Sequence, residues 1–184
     1  MRRVQQSELL PLDAYEAQRP AIRTLVLEQK RVRRVHVGQA LTFLFENPDT
    51  VRYQVQEMAR AERLTRDADL QHELDTYNEL LGGPGELGCT LLIEIADPVE
   101  RDAKLRAWRA LPEHLYAKLA DGRRVRATFD PRQVGEDRLS SVQYVKFALG
   151  GEAPVALGCD LPGAEAEAQL GPGQRAALAR DLAS

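Results

Sequence analysis

Several features that commonly reveal a protein's function are scarce or missing in this chain. There are two cysteines in 184 residues, Cys89 and Cys159. They lie far apart and form no CxxC pair, which argues against a disulfide framework or a thiolate zinc site and fits a reducing compartment. The charge balance, 25 Lys+Arg against 28 Asp+Glu, leaves a net charge of only -3. Whole-molecule charge therefore points neither to nucleic acid nor to an acidic interaction tail, and any electrostatic partner has to be read locally. Apolar runs such as TLLI are far too short to span a bilayer, and MRRVQQSELL lacks the continuous apolar segment of a secretory signal. These absences lead us to expect a cytoplasmic protein with no membrane partner.

Catalytic and cofactor motifs are missing as well. LLGGPGELG is rich in glycine but has no GK[ST] and precedes a strand, so it reads as a turn and not as a phosphate cradle. Ser140 and Ser141 sit in no nucleophile motif, and His36, His72 and His114 have no identifiable partners in a triad. His72, Asp75 and Glu79 share one face of a predicted helix, a donor set suited to a divalent metal, but that face opposes the apolar stripe Leu70, Leu74, Tyr77, Leu81 and reads as solvated. We expect no metal site and no cofactor.

The elements that are present suggest one domain over residues 1–184. A helix is predicted from about Asp13 to Arg31, interrupted or kinked at Pro20, with Ile22, Leu25, Val26 and Gln29 on one face. It ends in the basic run Lys30 to Arg34. Two short β segments separated at Gly38 follow. A second helix is opened by Asn47 as N-cap and Pro48 at its first position. DPVE, with Asp97 as N-cap, opens another helix running to about Leu111 between two strands. The hairpin after it needs a three-residue loop, Ala120-Asp121-Gly122, to put Leu115 and Ala117 on the same face as Val125 and Ala127. That register gathers Tyr116, Lys118, Arg124 and Arg126 on the outer face. A face of this kind is either a platform for an anion, a nucleotide or single-stranded RNA, or is solvated or covered by an acidic helix, and we take the second reading, with no nucleic-acid partner. From about residue 161 the Ala/Gly/Pro-rich end reads as partly mobile with a short last helix. The fold class expected is α+β, an antiparallel or mixed sheet packed by N-terminal helices.

Two stretches supply candidate site residues. In FENPDTVRYQVQEMARAERL, Val51, Val55 and Met58 define an apolar sector into which Glu62 projects at helical spacing. A carboxylate there is either paired with an arginine from another element or part of a pocket with Glu57 and Arg60. In FDPRQVGEDRLSSVQYVKFAL, Glu136, Asp137 and Arg138 crowd a loop before a strand that presents Tyr144 and Lys146 outward, a candidate polar binding edge.

Taken together, LTFLFENPDTVRYQVQEMARAERL, ELDTYNELLGGPGELGCTLLIEI and FDPRQVGEDRLSSVQYVKF resemble the bacterial domain-of-unknown-function family 3501 over nearly the whole chain. The resemblance implies a small cytoplasmic protein without an established activity, whose gene accompanies those for rubrerythrin and for an iron-sulfur protein like a heterodisulfide reductase subunit. It brings no catalytic residues. The expected function is that of an accessory or interaction protein in a rubrerythrin-linked oxidative-stress or electron-transfer system, with iron chemistry supplied by the partners. The alternative is a small-molecule-binding domain or enzyme built around Glu57, Arg60 and Glu62.

Overall fold

The computed structural model describes residues 1–184. Its elements run α1 (Leu12–Arg31), β1 (Arg34–Val37), β2 (Leu41–Phe45), α2 (Pro48–Glu62), α3 (Asp67–Asn78), β3 (Glu86–Ile93), α4 (Pro98–Ala107), α5 (Leu111–His114), β4 (Leu115–Lys118), β5 (Arg124–Arg126), β6 (Thr128–Phe129), β7 (Val142–Ala148), β8 (Ala156–Cys159), β9 (Ala166–Gln169) and α6 (Pro172–Leu182). The strands form two sheets, ordered β1-β2-β3-β7-β6 and β5-β4-β8-β9. Every pairing is antiparallel. The fold is α+β, and a mixed sheet is ruled out. The strand, helix, strand reading around DPVE is corrected too, because β3 and β4 belong to different sheets.

Period-two alternation builds the core. Along β3, Leu87, Cys89, Leu91 and Ile93 are buried, and along β7 Val145 and Phe147 are buried beside the exposed Tyr144. The buried faces of both sheets contribute to one continuous cluster, in which Phe43 and Phe45 pack on Phe147 while Leu115, Ala117 and Leu157 come from the second sheet. Trp108, on the short connection between α4 and α5, packs into the same cluster.

The hairpin register is the one that the alternation demands. Ala117 pairs with Val125, the Leu119 amide bonds the Arg123 carbonyl, and Gly122 closes the three-residue loop in the left-handed region at φ 89°. Gly38 (φ 63°) likewise turns the chain between β1 and β2.

The N-terminal helices cover the outer face of the first sheet. Asn47 caps α2 by accepting from the Thr50 amide at 2.9 Å. Val51 and Val55, fully buried with Leu74 and Leu81, form a second small core between α2 and α3. Each such side chain contributes about 1.5–3 kcal/mol.

Helix α1 buries only Tyr15 and Val26. Leu25 is 61% exposed, so its assignment to the packed face is corrected. It lies a full 100° around the helix from the buried Val26. The segment after residue 161 carries β9 and α6, and α6 is anchored through its buried Asp181.

Candidate functional site

The two acidic candidates on α2 have different surroundings. Glu57 accepts a bidentate pair from Arg19 at 2.7 and 2.8 Å and a bond from the Tyr15 hydroxyl at 2.6 Å. The Arg19 guanidinium, with help from the Tyr15 hydroxyl and against the cost of burial, holds the Glu57 carboxyl at about 2. Burial and the bond to Glu57 push the Tyr15 phenol upward. Arg60 pairs with Glu16 of α1 at 2.6 Å. Both residues thus serve as ties between α1 and α2.

A consequence follows for acid stability. Because the folded-state value lies below the unfolded one, the contribution of Glu57 is complete above the ordinary carboxylate range and is lost as pH falls from there through about 2. Glu57→Gln is expected to destabilise the protein by about 1–2 kcal/mol at neutral pH, with the difference from the parent vanishing near pH 2. Urea melts across that range measure it.

Glu62 requires correction. It is exposed, it is the last residue of α2, and it forms no ion pair with an arginine. The buried face of α2 stops at Ala59, because Arg63 turns into the left-handed region (φ 53°) and takes the chain away. The periodicity argument extended a stripe beyond the point where the helix has anything to pack against.

The loop candidates are also separated. Arg138 reaches Asp102 of α4 at 2.6 Å, and Glu136 and Asp137 face solvent in the tight turn bracketed by the Val134–Leu139 bridge. His72 and Asp75 on α3 and Glu79 at its C-terminal cap are exposed. On the hairpin, Arg126 holds Asp160 and Lys118 holds Glu167, while Tyr116 donates to Glu167 at 2.9 Å under the Arg124 guanidinium. Acids from the β8–β9 region thus offset its positive charge.

Tyr144 marks the open site. It stands 46% exposed on a groove of about 970 Å³ between α3 with the Gly82-Gly83-Pro84 turn on one side and β6–β7 on the other. Tyr77, Glu73 and Glu79 line the helical wall, and Thr128 and Lys146 line the sheet wall with Tyr144. The Gln133 side chain fixes the backbone of Tyr144 by accepting from its N–H at 2.8 Å and donating to its carbonyl at 3.1 Å, completing the ladder where β6 ends. Burial, then the neighbouring Glu73, Tyr144 and Glu62, push the Tyr77 phenol above its ordinary value. Glu62 is not among the residues that line the groove, and it takes no part in the ties that Glu57 and Arg60 make.

Beside the sheet wall, between α2 and β3, lies a residue that the sequence reading passed over. Glu46 is 1% exposed and has no cationic partner. Its carboxylate accepts from the Thr50 hydroxyl at 2.6 Å, the Gln54 amide at 3.1 Å and the Thr90 hydroxyl at 3.0 Å. Three neutral donors offset a desolvation cost that would otherwise be several kcal/mol. They also fasten α2 to β3 in the row next to Tyr144, since Thr90 pairs with Tyr144 across the strands. The available signal was a glutamate directly after the apolar LTFLF strand and before the Asn47 cap.

A second hollow, of about 780 Å³, lies where α1, the start of α2 and α6 meet, but its Arg33 and Asp181 bind one another.

The family model for proteins of unknown function DUF3501 matches residues 3–182. The chain belongs to this family. A crystal structure of a novel protein of unknown function from Burkholderia pseudomallei K96243 superposes with a TM-score of 0.89 at 29% identity, covering 98% of this chain and 100% of that one. None of the curated proteins matches the DUF3501 chain. No helix is long and apolar enough to cross a membrane.

Proposed function

We propose that this DUF3501 protein is an accessory protein that docks a partner through the groove between α3 and β6–β7. The partner is proposed to come from the rubrerythrin-linked oxidative-stress or electron-transfer system that the sequence resemblance implies, in the cytoplasm. The observation that supports docking over catalysis is the commitment of the reactive-looking side chains elsewhere. Glu57, Arg60 and Arg138 are tied to Arg19, Glu16 and Asp102. Both thiols are buried, and desolvation pushes Cys89 and Cys159 up, away from nucleophilic or ligating thiolates. The groove alone combines an exposed aromatic with unpaired charged groups, the composition of an interaction surface.

Purified rubrerythrin and the associated iron-sulfur protein, each mixed with this protein and followed by calorimetry and size-exclusion chromatography, test the reading. A complex with at least one of them is expected, weakened about tenfold or more by Tyr144→Ala or Glu73→Lys. Failure of both to bind, or binding insensitive to both substitutions, would reject it.

A further inference from the structure

We infer that a hollow between α4 and the start of β7 binds the phosphate group of a small phosphate monoester. It shares no residue with the groove between α3 and β6–β7, so it is a second site with a chemistry of its own.

The hollow measures about 390 Å³ and is lined by Arg101, Leu105, Arg138, Leu139, Ser140 and Ser141. Its walls are held by the backbone. The Leu139 amide bonds the Leu105 carbonyl at 3.0 Å and the Ile93 amide bonds the Ser141 carbonyl at 2.8 Å, which ties the segment before β7 both to α4 and to β3. Leu105 and Leu139 belong to the buried core, so the accessible chemistry of the hollow comes from two guanidiniums and two hydroxyls.

No acid lines it, and the acids nearest in the chain are engaged or turned outward. Asp102 is shared by Arg106 at 2.9 Å and Arg138 at 2.6 Å, so one carboxylate serves two cations. Glu100 holds Lys104, Asp97 caps α4, and Glu94 accepts from the Thr42 hydroxyl. Glu136 and Asp137 are exposed in the preceding turn. Arg101 has no acidic partner at all. Its Nη1 donates to the Ile95 carbonyl at 3.2 Å, which positions the half-buried guanidinium and leaves its other N–H groups unspent. Arg138 likewise spends only Nη1, on Asp102.

The hydroxyls add donors on the same side as Arg138. Ser140 Oγ accepts from the Val142 amide at 3.2 Å, which fixes the side chain and keeps its hydrogen available, and the Ser141 hydroxyl has no partner within the chain. Donor groups from two walls with no acceptor between them suit an anion. Four of them match the three terminal oxygens of a phosphate group better than the two of a carboxylate, and guanidinium bonds to phosphate are charge-assisted. The hollow has the size of a small-ligand site and leaves room for an esterified carbon chain beside the phosphate.

The test uses the full chain at constant ionic strength, with glycerol 3-phosphate, inorganic phosphate and acetate as probes and the backbone amides of Arg101 and of residues 138 to 141 followed by NMR. Glycerol 3-phosphate is expected to shift these amides saturably with a dissociation constant on the order of millimolar, inorganic phosphate to bind no more tightly, and acetate to bind about tenfold more weakly. Arg101→Gln and Arg138→Gln should each weaken glycerol 3-phosphate about tenfold, and Ser141→Ala, which keeps both guanidiniums, about threefold. Arg109→Gln, at an exposed arginine outside the hollow, should leave binding unchanged. Acetate binding as tightly as phosphate, no saturable shift with either phosphate compound, or losses in Arg109→Gln equal to those in Arg101→Gln would overturn the site. Inorganic phosphate binding about tenfold more tightly than glycerol 3-phosphate would overturn the monoester assignment.

Discussion

Asp181→Ala is expected to destabilise the protein by about 3–5 kcal/mol, the range for breaking a buried pair from one side. For a chain of this size that lowers the melting temperature by about 10 °C, readable in a thermal melt. The cause is geometric. Arg33 Nε and Nη2 donate to the two carboxylate oxygens of Asp181 at 2.7 and 2.8 Å, and its third nitrogen donates to the Gln29 carbonyl at 3.1 Å near the end of α1. Both side chains are 7% exposed. Removing the carboxylate leaves a guanidinium out of water with one backbone acceptor, whereas replacing both partners removes that penalty. Arg33→Met combined with Asp181→Leu should therefore melt well above Asp181→Ala, despite carrying more substitutions. A double variant no more stable than the single one would show that α6 is held by its apolar contacts and that the pair contributes little.

This pair also shows where sequence reading stops. Arg33 lies in the basic run from Lys30 to Arg34, where helix-end cations are expected and any one of the five positions could face inward. Its partner is 148 residues away, and no local period links them. The hairpin at Ala120–Gly122 was legible because alternation over a few residues leaves one register that keeps Leu115, Ala117, Val125 and Ala127 together. The caps at Asn47 and Asp97 were legible for a similar reason, since each side chain acts on the amide three residues ahead. Glu62 was misread because a helical stripe does not record where its packing partner ends. Strand β9 escaped because Ala166–Gln169 alternates in burial but is built from alanine and glutamate, residues that seldom favour strands. Of the candidate site, Tyr144 was found by its outward position on β7. Tyr77 was assigned to the apolar stripe of α3, and only the fold brings the two rings onto one groove.

The glycine-rich turn that borders that groove is expected to give the other large effect. A Cβ on Gly88 would lie 1.7 Å from the Leu80 carbonyl oxygen, and one on Gly82 would lie 2.2 Å from the Glu86 carbonyl oxygen. Both obstacles are backbone atoms, which cannot swing aside as a side-chain tip can. Gly88→Ala must therefore lift the Leu80–Pro84 segment off β3, at a cost of about 3 kcal/mol, the upper end for overpacking. It should also disturb the wall on which Tyr77 stands and abolish partner binding along with the loss of stability. Gly83 provides the internal comparison. Its nearest neighbour would be the Glu86 carboxylate oxygen at 3.7 Å, an ordinary contact, and its φ lies outside the left-handed region. Gly83→Ala should thus change stability by no more than about 0.5 kcal/mol, with a small gain from the restricted unfolded chain. If the two variants melted together, the close approach of Leu80 to β3 would not be what holds the turn, and glycine would be needed there only for backbone flexibility. If Gly88→Ala alone falls, the LLGGPGELG stretch is a packing device that sets the helical wall of the groove against the sheet.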